Sequence, residues 1–259
     1  MQGDSVNRPQ QFDAGQRPRW DLLASLAVAF GIAEAVVVIH LRSFLDPNGD
    51  RFPRVGFPAH LLRPEQIREA ATLVVLGAAA GLSMPSPSGR LAAGLCLFGA
   101  WDLVYYGALR LMIGWPRTLG DWDLLFLLPV PWLGPVYAPV VIAVTMVVAG
   151  GLVLRHEAHG SSFRVRPWHL VLAALGGGLC ISSFLHDLPP TALGPLPHRY
   201  PVERWIAGLA LGLAAYAGAW RLNIRRARPA VPAAVASSTA GATTGIGPAP
   251  RESRSPAPR

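Results

Sequence analysis

The chain has 259 residues, 51% of them apolar and only 15% charged, with a mean hydropathy of +0.34, whereas a soluble domain averages about 25% charged residues. Its apolar residues fall in runs instead of alternating, and six runs of roughly 18 to 20 residues occupy nearly half the chain. These proportions exclude a secreted miniprotein, a nucleic-acid-binding domain and a Rossmann-type enzyme. They predict an all-α, polytopic transmembrane helical bundle of about six spans.

The formal net charge is +8, and all 23 basic residues are arginine. They cluster beside the apolar runs and in the C-terminal tail, the placement of a topology signal and not of a nucleic-acid surface. The absence of lysine beside 25 prolines fits the coding bias of a GC-rich genome and, with the spans, predicts a bacterial inner (plasma) membrane protein. The expected partner is the lipid bilayer, with membrane-protein partners or self-association left open and nucleic acid excluded.

Residues 1–19 are polar and lack a central apolar stretch, so they read as a cytoplasmic segment and not as a cleavable signal peptide. The first span covers about 21–41 and is interrupted only by Ser25, Gly31, Glu34 and His40. The loop 42–63, broken by prolines with Phe52 and Phe57 between them, suits a stretch packed at the membrane interface. The second span, about 64–82, opens on Pro64, a good first-turn residue, with Glu65 and Gln66 at the positive helix end. Gly77 and Gly81 give it a small-residue face for close helix packing.

The third span, about 91–113, carries Asp102, Tyr105 and Tyr106. In the stretch 120–135, the apolar core 124–128 is too short to span, and Pro129, Pro131 and Pro135 interrupt the residues after it. A short interfacial or re-entrant helix is predicted there, with Thr118 and Asp121 spaced like a capping box. Non-helical backbone at membrane depth is tolerated only under protein or beside a cavity. Spans four to six cover about 136–154, 168–185 and 202–220, the last with Gly208 and Gly212 as a second small face. The Pro-, Ala- and Ser-rich tail, 222–259, is expected to be disordered. No internal repeat has a convincing period.

Six spans place both termini on one side, which then carries fourteen arginines against nine on the other, or eleven against nine once three distant tail arginines are discounted. The positive-inside rule puts both termini in the cytoplasm. Trp20, Trp115, Trp122, Trp132, Trp168 and Trp220 fall near predicted boundaries, as an interfacial belt requires, while Trp101 and Trp205 lie further in and suit a cavity lining. Cys96 and Cys180 sit at depths differing by roughly 10 Å along parallel spans, too far for a disulfide, and read as small buried hydrophobes.

Glu34 lies about seven residues, roughly 10 Å, inside the outer end of the first span. A carboxylate at that depth must be protonated, paired or open to a polar cavity. It is either a proton, ion or ligand site or an interhelical hydrogen bond that fixes packing. Asp102 raises the same alternatives, with Tyr105 and Tyr106 on its helical face. His40, His186, Asp187, His198 and Glu203 are predicted to converge at the outer face with Arg110, Asp121 and Asp123. Imidazoles and carboxylates of this kind bind metals or exchange protons near neutral pH, yet no HExxH or similar spacing joins them. On the inner side His156 and His159, three apart in an arginine-flanked loop, and His169 read as a solvated cap. No CxxCH is present for covalent haem, and His40 and His186 lie too shallow for a buried haem. The sequence specifies no cofactor, metal, reaction or catalytic residue.

Two functions remain. One is a polar intramembrane pocket facing the outer side for protons or a small polar or amphiphilic ligand, as in a transporter or a membrane-embedded enzyme. The other is a structural or assembly subunit whose buried carboxylates only specify packing.

Overall fold

The computed structural model describes residues 20–46, 58–159, 161–186 and 199–227. The expected N-terminal segment, the central part of the first loop and nearly all of the tail lie outside these residues. Six helices and one hairpin come in order: α1 Trp20–Leu45, α2 Ala59–Ser83, α3 Pro87–Ile113, β1 Trp122–Phe126, β2 Trp132–Pro135, α4 Tyr137–Ala158, α5 Pro167–Phe184 and α6 Val202–Ala227. All described residues up to Asn223 belong to one compact unit, which is the bundle itself. Ile224–Ala227, the last turn of α6, belong to a second.

Local chemistry sets the helix ends. Asp21 in the first turn of α1 and Arg42 in its last turn oppose the helix dipole correctly. At the start of α3 the Ser86 hydroxyl accepts the Gly89 N–H at 2.9 Å, with Pro87 just inside. Gly114 ends α3 at φ 69°, its N–H donating to the Arg110 carbonyl, a left-handed cap that favours glycine.

Five of the helices, α1, α3, α4, α5 and α6, are long and apolar enough to cross a membrane. Helix α2 has the length, 25 residues, but carries Arg63, Glu65, Arg68 and Glu69 in its first half. The chain is therefore a membrane-spanning bundle of five to six long helices.

Packing on α1 is inverted relative to a soluble protein. The buried positions of α1 are the small ones, Ala27, Gly31 and Ala35, four residues apart on one face. Leu22, Val28, Ile32 and Val36 on the same helix are exposed. Large apolar side chains therefore face the surroundings while small ones let backbones approach, as expected where lipid supplies the apolar environment. Helix α3 is central, packing on α1, α2 and α4. A Cβ added at Gly150 of α4 would stand 2.6 Å from the Ala92 carbonyl and 2.7 Å from the Cys96 sulfur on α3, and one at Gly176 of α5 would stand 2.6 Å from the Gly208 carbonyl of α6. Gly208 thus makes the close contact expected of it. Gly77 and Gly81 on α2 do not: nothing lies within 4 Å of a Cβ built at either, and among the described residues that face is unused.

The stretch expected to form a short helix is instead an antiparallel hairpin, pairing Trp122 with Pro135, Asp123 with Gly134, Leu124 with Leu133 and Phe126 with Trp132, with an irregularity between Leu124 and Phe126. An eight-residue helix between Gly120 and Pro129 would leave most of its backbone groups unpaired. In the hairpin they find partners. The Leu127 N–H donates to Glu69 Oε2 at 2.9 Å, and Gln66 Nε2 donates to the carbonyls of Leu127 and Pro129 at 2.9 and 3.1 Å. The polar first half of α2 is thus the seat of the hairpin. Thr118 and Asp121 do not cap a helix; the Asp121 carboxylate accepts the Thr118 hydroxyl and the N–H groups of Arg117 and Thr118, closing the turn before β1. At its tip Phe126 lies 6.3 Å from Trp101 and 6.4 Å from Phe98, centroid to centroid, so the hairpin re-enters the bundle to the middle of α3.

The close approach at Gly150 gives a direct check. Gly150→Val should destabilise the detergent-solubilised protein by about 1–3 kcal/mol through overpacking. Gly151→Val, where a Cβ meets nothing within 4 Å, should be nearly silent. Thermal or SDS unfolding followed by circular dichroism compares the two.

Candidate functional site: a carboxyl and arginine cluster under the hairpin

Four segments bring ionisable groups to one place. Helix α1 supplies Glu34 and Arg42, eight residues apart and hence on one face. Helix α2 supplies Glu65, Arg68 and Glu69, α3 supplies Asp102, Tyr105 and Tyr106, and β1 supplies Asp123. All belong to the distal half of the bundle, away from the end where α1 starts and α6 ends. Because α1 runs on to Leu45, Glu34 lies eleven residues, roughly 16 Å, from its distal end, deeper than the span ending near 41 had implied. Asp102 is equally far from the end of α3.

Two ion-pair systems lock these segments. Arg68 donates through Nη1 to Glu34 and through Nε to Glu65 Oε2, the latter at 2.7 Å, tying α2 to α1. Arg42 Nη2 donates to Asp123 Oδ1 at 3.0 Å, and the Tyr106 hydroxyl donates to Asp123 Oδ2 at 3.1 Å. Asp123 is fully buried. The Arg42 guanidinium also lies 3.7 Å from the centroid of the Trp115 ring, a cation–π contact. One buried carboxylate thus joins α1, α3 and the hairpin, and removing either charge would leave the other uncompensated.

Between the two systems is a cavity of about 50 Å³ lined by Glu34, Arg42, Glu65, Arg68, Glu69, Trp101, Asp102 and Tyr105, with apolar groups of α1 and β1 completing it. A space of this size holds a few water molecules, since one requires about 10–15 Å³. Glu34 and Asp102 therefore share one polar volume. Asp102 lines it without a hydrogen-bonded partner among the described residues. Tyr106 stands beside the cavity, 4.9 Å from Tyr105 between ring centroids, and turns its hydroxyl to Asp123.

The other expected residues do not join this volume. His40 is exposed and donates through Nδ1 to the Val36 carbonyl at 2.7 Å. His186 follows α5 and Glu203 is exposed in the first turn of α6, neither lining the cavity. Asp187 and His198 lie outside the described residues. The charged groups that complete the lining are arginines and glutamates of α1 and α2. Among the described residues no three or more His, Cys, Asp or Glu side chains are arranged to hold a metal. Asp121, in the exposed turn, has its carboxyl held below the ordinary 3.8: desolvation, the largest single influence, pushes upward but is outweighed by the hydrogen bonds from the Thr118 hydroxyl and the N–H groups of Arg117 and Thr118 together with the Arg117 charge.

Trp101 is buried and lines the cavity, whereas Trp205 is buried against Tyr137, 5.6 Å between centroids. Cys96 and Cys180 are both free. On the opposite side His156 belongs to α4 and not to a loop, its ring packed between Phe163 and Trp220, while His159 Nδ1 bonds its own helix at Arg155 O. His169 is buried, not solvated.

From sequence alone Glu65 reads as a dipole-matching residue and Arg68 as one of the outer-side arginines, so neither points to a site, and Glu69 is not singled out. The available signal was their spacing: 65, 68 and 69 share one helical face, opposite the exposed Ile67 and Val74.

The fold and this cluster define an integral, multi-spanning membrane protein. Compared with known proteins, the chain matches no family model, no curated protein and no solved structure.

The Arg68 pairing is testable by a double-mutant cycle. Arg68→Gln should lower stability by on the order of 3 kcal/mol, since Glu34 and Glu65 lose their shared cation at depth. Adding Glu34→Gln should recover part of that loss. Additive single-variant losses in unfolding measurements would show that the pair is not coupled.

Proposed function

We propose that the cluster is a proton-exchanging site, open to the distal side, in a protein that transports or processes a small polar solute across or within the membrane. The observation that carries this reading is the shared cavity, lined by both Glu34 and Asp102, the latter without a hydrogen-bonded partner among the described residues. Among the described residues, and counting Asp123, five carboxyls meet two guanidiniums, and Arg42 and Arg68 are already engaged. With every carboxyl ionised the layer would hold three uncompensated negative charges in a poorly hydrated setting. Binding protons or another small cation balances it. The volume suits water-sized species; it is too small for a lipid or an amphiphilic ring. The arginine bias supports an arrangement with both termini in the cytoplasm of a bacterial cell and the cavity towards the outer solution.

A second reading is favoured by the ion pairs themselves. Arg68–Glu34 and Arg42–Asp123 join three elements, as expected of a structural or assembly subunit whose charges specify helix packing.

Infrared difference spectroscopy on reconstituted protein separates the two. A protonated-carboxyl band that titrates and exchanges in D₂O, and that Asp102→Asn removes without loss of folded protein, is expected for a proton site. Proton movement into proteoliposomes should fall by about tenfold or more in the same variant, the usual scale for removing a positioned proton-transfer group. An unaltered band and unaltered proton movement in Asp102→Asn would leave the structural role alone standing.

A further inference from the structure

A second cavity, of about 310 Å³, lies between the α3–α4 pair and the α5–α6 pair. It extends along α5 from His169 to Cys180, roughly 16 Å, and its lining mixes small residues such as Ala173, Gly176 and Gly212 with large apolar ones such as Leu95, Met146 and Leu209. It is open along part of its length, where the lining residues Leu91, Leu170 and Leu213 are exposed, so an apolar chain from the surroundings can enter. The cavity is almost wholly apolar, so water does not fill it well. Its lining suits an apolar chain.

One end is different. His169, 97% buried, lines the cavity at its arginine-rich end. Its Nδ1 accepts the Arg166 N–H at 3.0 Å, which leaves Nε2 carrying the ring proton of the neutral form, and Nε2 has no acceptor; the Tyr216 hydroxyl nearby in the lining is likewise unpartnered. Buried polar groups of this kind are normally satisfied. Around the same end of the bundle Arg90, Arg155, Arg164, Arg166 and Arg221 are exposed. Among the described residues the acids at that end are Asp21 and Glu157, and Glu157 is engaged by Ser86, Ser88 and the Phe163 N–H. The end therefore places an excess of arginines above a long apolar slot.

We propose that this cavity binds one acyl chain of an anionic bilayer phospholipid. The chain lies along α5 and α6, the ester oxygens lie near His169 and Tyr216, and the phosphate lies over the arginines. The inference is independent of the proton site, which belongs to the opposite half of the bundle.

The test uses the full chain purified in detergent and challenged with phosphatidylglycerol or phosphatidylcholine of equal chain length, with bound lipid read by native mass spectrometry. Phosphatidylglycerol should stay bound through washes that remove phosphatidylcholine. Gly212→Leu, which extends a side chain where a Cβ meets nothing within 4 Å, should lower occupancy about tenfold, the equivalent of roughly two buried methylenes. Its circular dichroism and elution should not change. If that variant does not fold, Ala173→Leu gives the same reading. Arg164→Gln and Arg166→Gln should each cut the preference for the anionic lipid about fivefold while leaving chain binding. The proposal is overturned if no phospholipid is retained, if the two lipids bind equally, if cavity-filling variants bind as the wild type does, or if cross-linking places a second copy in the slot.

Discussion

A charged group removed from water must find a counter-charge, a hydrogen bond or a residual pool of water. In this bundle that requirement falls on Asp123, fully buried, and the structure answers it from two sides, with Arg42 of α1 and the Tyr106 hydroxyl of α3. The pairing fixes where the hairpin sits. Once the hairpin is inside, its unpaired strand edge needs partners too, and Glu69 and Gln66 supply them. Helix α2 is consequently polar in its first half and apolar in its second, and Arg68 then compensates the carboxylates that this half brings with it.

The remainder of the bundle meets the opposite demand. Without water to drive apolar surfaces together, helices associate by close contact, so glycine and alanine occupy the seams of α1 on α3, α4 on α3 and α6 on α5. On α1 the large side chains face outward, while Leu97, Trp101 and Leu109 of α3 fill the interior. The two cavities follow from this division. One lies where charged groups hold the hairpin off α1 and α2. The other lies where small residues between the two helix pairs leave room that their own side chains do not fill. One is small and polar, the other long and apolar, and they occupy opposite halves of the molecule.

Much of the fold was legible in the sequence because runs of apolar residues at bilayer length have few other solutions. Glu34 and Asp102 stood out because carboxyls inside such runs are rare, and they do line one volume. The hairpin was not legible. Residues 124–128 are apolar in either conformation, and only the tertiary partners Gln66 and Glu69, some sixty residues earlier, make the extended form the better one. Gly77 and Gly81 carried the same spacing signal as other small faces, yet spacing does not say which face has a partner. The outer histidines also misled. Proximity to a helix end places a residue near the rim but not in the lining, and the groups that complete the cavity came from a helix whose charges had looked peripheral.

The central claim is that Asp102 and Glu69 stand in a space reached by water from the distal side. The most direct measurement replaces Cys96 and Cys180, places a single cysteine at 102, 69 or the outward-facing position 74, and applies silver ion, close to water in size, from each side of sealed vesicles. Afterwards the protein is denatured and its remaining thiols are labelled. Silver from the distal side alone should protect positions 102 and 69 and leave 74 reactive. Protection from the terminal side only, or none at 102 and 69, would contradict a distal-facing polar cavity.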